Sequence, residues 1–162
     1  MRVLLFEPEI PPNTGNVARL CAAMGVELDL VEPLGFRLDD RYLRRAGLDY
    51  WPHVRLSVWP NFESFVRRNG RSPGERLIMT SAKRGRSSRP LQDFAFLPDD
   101  CLVFGPETRG LPRALLESSP YCVHIPIRSM SRGGARCLNL STSAGIVLYA
   151  ALAACGQLDS LA

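Results

Sequence analysis

Three stretches of this sequence combine tight-turn residues with carboxylates, amides and guanidinium groups from which a site could be built. The first runs Glu7-Pro8-Glu9-Ile10-Pro11-Pro12-Asn13-Thr14-Gly15-Asn16 and leads to Arg19. Asn13 and Arg19 can both project from a strand end toward a ligand at the carboxyl edge of a sheet. The same two residues also suit a helix cap and a surface arginine. The second stretch, Leu102 to Pro112, takes an apolar run into a Gly-Pro turn that carries Glu107 and Arg109. Gly105 lets a ligand come close to the backbone, and the helix opened by Pro112 offers an N-terminus that favours anions. An ordinary strand–turn–helix joint has the same outline. The third stretch joins Ile125-Pro126-Ile127, a Gly- and Arg-rich loop over 128–136, and Cys137-Leu138-Asn139-Leu140-Ser141. Backbone amides in such a loop can hold an adenine edge or a carboxylate; a surface loop ending in an Asn or Ser cap is the plainer reading.

These stretches need a scaffold, and the hydrophobic pattern supplies one. Short apolar runs at Val3–Phe6, Leu28–Val31, Val54–Val58, Leu77–Thr80, Cys101–Phe104 and Val123–Pro126 predict strands. The prolines after Phe6 interrupt regular structure, and Asn13 is placed to cap the helix that follows. Val17, Leu20, Cys21 and Met24 recur at helical spacing, and Gly25 stops that helix. Further helices are expected over Asp39–Ala46, Phe62–Arg68, from Pro112 to about Glu117, and from Asn139 or Ser141 to just before Gly156. The basic, Ser-rich stretch Lys83–Pro90 reads as a solvated loop. Alternation of strand and helix predicts an α/β fold, a mostly parallel sheet flanked by helices, formed as one domain over residues 1–162.

Composition narrows the field. The 162 residues are 46% hydrophobic and 22% charged, with a formal net charge of +4. Lys83 is the one lysine; the other basic residues are arginines, whose planar fork matches phosphate oxygens. The five cysteines, Cys21, Cys101, Cys122, Cys137 and Cys155, form no C-x-x-C pair, so neither a zinc site nor a disulfide framework is indicated, and a reducing cytoplasm fits. The apolar stretch 144–155 is too short for a bilayer, which needs roughly 20 residues. A P-loop hydrolase is excluded by the missing G-x-x-x-x-G-K-[ST]. A dinucleotide dehydrogenase would need a glycine fingerprint after the first strand. A Cys–His hydrolase would have to use Cys137 and His124, which nothing in the sequence orients.

Taken together, the three stretches resemble the SPOUT superfamily of RNA methyltransferases. Within it they look like the small bacterial tRNA (cytidine/uridine-34) 2′-O-methyltransferases. The resemblance rests on Glu7–Asn16 with Arg19, Leu43–Tyr50 (LRRAGLDY), Phe104–Pro112 (FGPETRGLP), and Arg136–Ser141 leading into Ile146–Tyr149 (IVLY). It covers essentially the whole chain. Cys137 stands where a serine is common, and the 128–135 loop is longer than in those enzymes.

The resemblance implies an α/β domain with a C-terminal trefoil knot, a rare exception among protein folds. It implies a cytoplasmic homodimer that carries a methyl group from S-adenosylmethionine to a tRNA ribose, leaving S-adenosylhomocysteine, without metal. By position, Thr80, Gly105, Ile125, Cys137 and Leu138 would hold the donor. Arg19 would be catalytic, supported by Asn13 and Glu107. Arg41, Arg44, Arg45, Lys83, Arg84, Arg128, Arg132 and Tyr149 would meet RNA. Arginine is a poor base, because its pKa exceeds about 12, so Arg19 would bind phosphate and stabilise charge on the ribose oxygen. The same chemistry at another tRNA or rRNA position, or an RNA-binding module without catalysis, are the rival readings.

Overall fold

The structure is a computed structural model that describes residues 1–38, 50–68, 74–82, 88–127 and 137–158. Seven strands form one sheet: β1 (Arg2–Phe6), β2 (Glu27–Val31), β3 (Leu56–Trp59), β4 (Leu77–Thr80), β5 (Ser88–Pro90), β6 (Cys101–Phe104) and β7 (Cys122–His124). Their spatial order is β3-β2-β1-β6-β4-β7-β5, and every neighbouring pair is parallel. All strand ends of one polarity therefore lie along one edge, the usual place for a site in such sheets.

Parallel strands are buried on both faces, and their side chains alternate between two cores. Val3, Leu5, Leu28, Leu30, Ile78, Leu102, Phe104 and Val123 face one core. There they meet Val17, Ala18 and Cys21 of α1 (Pro11–Ala23) and Ala144, Val147, Leu148, Ala151 and Leu152 of α4 (Leu140–Ala154). Leu4, Phe6, Val31, Met79, Cys101, Val103 and Cys122 face the other, closed by Phe65 of α2 (Phe62–Val66) and by Leu111 just before α3 (Arg113–Glu117). Cys21, Cys101 and Cys122 are core thiols, and burial pushes the Cys21 thiol up to about 12.

Helix α1 departs from the sequence expectation. It begins at Pro11, so the prolines start the helix instead of delaying it. A proline in the first turn gives up an N–H that has no helical partner, and its fixed φ suits the helix. Asn13 is consequently inside the helix, and the N-cap position, Ile10, makes no side-chain cap. Helix α4 starts as expected, with the Asn139 side chain accepting from Ser141 and Thr142 amides. The end of the supposed Lys83–Pro90 loop is edge strand β5, tied to β7 by the Ser88 hydroxyl at 2.7 Å from His124 Nδ1. That bond engages the imidazole needed by the Cys–His alternative. Helix 39–46 lies outside the described residues, as does 128–136, on whose course the expected knot depends.

A buried carboxylate enters the second core. Asp29 points to the same face as Leu4 and is 1% exposed. It accepts from Trp59 Nε1 at 2.7 Å and Arg2 Nη1 at 2.8 Å. Burial raises its pKa, and the Trp59 bond and the Arg2 charge oppose that rise. Arg2 also pairs with Glu27, and Glu75 with the buried Arg68. Removing one partner of a buried pair leaves the other's charge or donor unmet. Asp29→Ala is expected to lower unfolding free energy by about 3 kcal/mol in urea titration; a change within about 0.5 kcal/mol contradicts this role.

Candidate active site

At the carboxyl edge, the loop after β1 and the turn after β6 lock together through reciprocal carboxylates. Glu107 Oε2 accepts from the Glu9 amide at 2.8 Å, and Oε1 accepts from the Ile10 amide at 3.2 Å and from Asn13 Nδ2 at 3.1 Å. In return, Glu9 accepts from the Thr108 amide at 3.0 Å and the Thr108 hydroxyl at 2.9 Å. Arg109 pairs with Glu7 and lies 3.6 Å from a Glu9 oxygen. Glu107 thus accepts the last two main-chain amides before α1, whose first two residues are prolines without an N–H, and it sits at the helix end that favours negative charge.

The network extends into α4. Asn139 Nδ2 donates to Asn13 Oδ1 at 2.9 Å, and Asn139 Oδ1 accepts from the Ser141 amide at 2.8 Å. The direction of each bond is dictated from both ends. An ionised carboxylate only accepts, and a helix N-terminus only donates, so the two amides can point one way only. Asn13 and Glu107, both predicted from sequence, are therefore brought together, and they are joined by Asn139, which sequence reasoning read only as a cap.

Two backbone features hold this corner. Glu7 has φ 48°, left-handed geometry that costs a non-glycine residue roughly 1–2 kcal/mol. Its amide donates to the Val31 carbonyl at 2.9 Å. Such strain persists where the surroundings fix it, often at functional sites. The turn of the chain itself also requires glycine at position 105. A Cβ there would lie 2.2 Å from the Leu111 nitrogen and 2.5 Å from the Gly110 carbonyl carbon. The close approach is by the chain's own turn, which folds back with Gly110 at φ +71°.

The other predicted residues separate into groups. Thr80, Gly105 and Ile125 follow or end β4, β6 and β7, adjacent strands at the sheet's centre and side. The Thr80 hydroxyl donates to the Val103 carbonyl at 2.9 Å. Leu138 is half-buried and Cys137 exposed, immediately before the α4 cap. Arg19 is not in the Glu107 network. It lies on the solvent stripe of α1 with Pro12, Asn16 and Ala23, its guanidinium carbon 5.8 Å from the centre of the Tyr50 ring. Tyr149 is exposed on α4. Arg41, Arg44, Arg45, Lys83, Arg84, Arg128 and Arg132 lie outside the described residues.

Comparison with known proteins identifies the family of the chain. Residues 1–149 match the SpoU rRNA methylase family. The chain belongs to that family. It is 46% identical over 151 residues to a tRNA (cytidine(34)-2′-O)-methyltransferase of Burkholderia ambifaria, covering 92% of each chain. It superposes with TM-score 0.83 and 41% identity on a solved structure described as giving insights into the 2-OH methylation of C/U34 on tRNA, covering 98% of this chain and 96% of that one. An AdoMet complex of the SpoU methyltransferase AviRb from Streptomyces viridochromogenes aligns with TM-score 0.75 and 25% identity, over 94% of this chain and 57% of that one.

The lock has a pH signature. The Thr108 side-chain and backbone hydrogen bonds, then the Arg109 charge, hold the Glu9 pKa below its ordinary 4.5. A depressed carboxyl pKa stabilises the fold above 4.5, and that contribution is lost as pH falls through the lower folded value. The Thr108 amide proton shift should therefore titrate with a midpoint below 4.5, and the transition should vanish in Glu9→Gln. A midpoint at or above that value contradicts the lock.

Proposed function

We propose that this member of the SpoU family is a methyltransferase that moves a methyl group from S-adenosylmethionine to the ribose 2′-hydroxyl of the wobble nucleotide, cytidine or uridine 34, of tRNA in the cytoplasm. The observation that carries the reading is the near-complete match to wobble ribose methyltransferases, over 92% of the chain, with the Asn13–Glu107 corner intact.

The donor set suits the adenosyl group. Thr80, Gly105, Ile125 and Leu138 offer apolar surface, a hydroxyl and main-chain groups without a formal charge, as a flat adenine with a polar edge requires. Cys137 lies beside them in sequence. When bound, the donor supplies an activated methyl on a sulfonium, so alignment is the enzyme's main task. The Glu107 lock fixes the loop after β1 relative to the turn after β6, and Asn13 and Asn139 tie both to the segment that starts α4.

Arg19 remains charged at any working pH. Its guanidinium binds an RNA phosphate next to the reacting ribose and stabilises negative charge developing on the oxygen. Arg41, Arg44, Arg45, Lys83, Arg84, Arg128 and Arg132 add phosphate contacts, which give affinity without reading sequence. A second copy completes the assembly. Thr142, Ile146, Tyr149 and Ala153 form one exposed stripe on α4, with Ile146 39% and Tyr149 57% exposed, and this stripe pairs two protomers while Tyr149 stays near bound RNA.

The test uses purified protein, labelled donor and unmodified tRNA. Label should enter one ribose, and the phosphodiester after nucleotide 34 should become resistant to alkali. Label on a base, or resistance elsewhere, contradicts the reading. Arg19→Ala should lower turnover at least about 100-fold, the scale of losing a charge-stabilising group, with donor affinity within about twofold. Loss of donor binding would reassign Arg19 to the donor pocket.

A further inference from the structure

Tyr50 is absorbed by neither the donor pocket nor the Glu107 network, yet it is bound to α1 at two points. Its hydroxyl donates to the Gly15 carbonyl at 3.1 Å. The Arg19 guanidinium carbon lies 5.8 Å from its ring centre. Gly15 and Arg19 are four residues apart on a helix, hence one above the other on the same face. Glycine at the lower position leaves no side chain between the ring and the helix. A tyrosine lying along that face can therefore anchor its oxygen at residue 15 and present its ring to residue 19.

The ring is itself held from behind. Tyr50 is half-buried and packs edge-on against Trp51, with centroids 6.4 Å apart at 61°. The turn Trp51–His53 that follows is closed by the His53 amide donating to the Tyr50 carbonyl at 2.9 Å, and it leads into β3. Arg19 itself is exposed. An aromatic face attracts the guanidinium while leaving its edge N–H groups directed outward for an oxyanion.

We propose that Tyr50 is a positioning residue: its ring is a shelf, fixed to the Gly15 carbonyl, that pre-orients the Arg19 guanidinium for the phosphate and ribose of the RNA substrate. This rests on the phosphate-binding role proposed for Arg19. The shelf touches neither RNA nor donor; it raises the fraction of enzyme in which Arg19 is ready when the RNA arrives. Its removal should appear in kcat and leave donor binding alone.

The experiment compares wild type, Tyr50→Phe, Tyr50→Leu, Tyr50→Met and Arg19→Ala on the full chain. Leu and Met keep apolar bulk without a π face, so one of them preserves the fold if the other does not. The first readout is the NMR shift of the Arg19 δ-protons, moved upfield by the ring current in wild type and Tyr50→Phe and restored to ordinary values in the Leu or Met variant. The second is turnover with unmodified tRNA. Leu or Met should lower kcat about five- to twentyfold with donor Kd unchanged, while Phe, which keeps the ring, should recover at least about a third of wild-type kcat. Wild-type kcat in Tyr50→Leu beside an inactive Arg19→Ala overturns the shelf and leaves the role of Arg19 standing. Equal losses in Phe and Leu also overturn it, since the hydroxyl tie alone would then matter. Wild-type kcat in Arg19→Ala removes the role of Arg19 and the shelf with it.

Discussion

The carboxylate of Glu107 is where three distant parts of the chain meet. It receives two main-chain amides from the entry to α1 and the amide of Asn13, and through Asn13 it is linked to Asn139 and the start of α4. Every bond in this series has a donor on one side that cannot accept, or an acceptor on the other that cannot donate. A fully satisfied polar network of this kind specifies one arrangement of its loops, and a partly satisfied one is costly. The reciprocal bonds from Thr108 to Glu9 double the connection. The carboxylate therefore acts on the architecture of this corner, by joining the loop after β1 to the turn after β6.

The sheet explains why these parts can meet. Strand β6 lies between β1 and β4, so the turn after β6 opens beside the loop after β1 on one flank and beside Thr80 on the other. Gly105 lets that turn fold tightly upon itself, as the 2.2 Å approach to the Leu111 nitrogen requires. Helices α1 and α4 cover the same face of the sheet and share a core, which places the α4 N-terminus within reach of Asn13. The stripe of α1 facing away from this core carries Arg19. One helix thus presents a buried amide to the network and an exposed guanidinium to solvent, separated by its own turn geometry.

Much of this was legible in the sequence, and the exceptions have physical reasons. The apolar runs at Val3–Phe6 and Cys101–Phe104 are strands because parallel strands are buried on both faces. Asn139 before an apolar helical segment is a cap, as its position indicates. Pro11 and Pro12 were harder, since proline both ends regular structure and begins helices. Asn13 had the look of a cap because the carboxylate that serves the entry to α1 comes from Glu107, far along the chain. The second role of Asn139 was hidden for the same reason. Asp29 alternates with Leu28 and Leu30 as a solvent-facing residue would, and only the fold shows that Arg2 and Trp59 receive it in a core. The three residues of β5 carry no apolar alternation, and their pairing depends on β7.

The most direct measurement of the central claim is amide hydrogen exchange in Glu107→Gln. Glutamine has nearly the same shape but must turn an N–H group toward at least one donor, so the bond direction fixed at this end is lost. If the network is a single ordered unit, exchange accelerates at Glu9 and Ile10 and also at Ser141 and Thr142, which among the described residues are linked by hydrogen bonds to residue 107 through Asn13 and Asn139. Acceleration confined to Glu9 and Ile10 would show that the corner and the α4 start are held independently, and would contradict a network that acts as one unit.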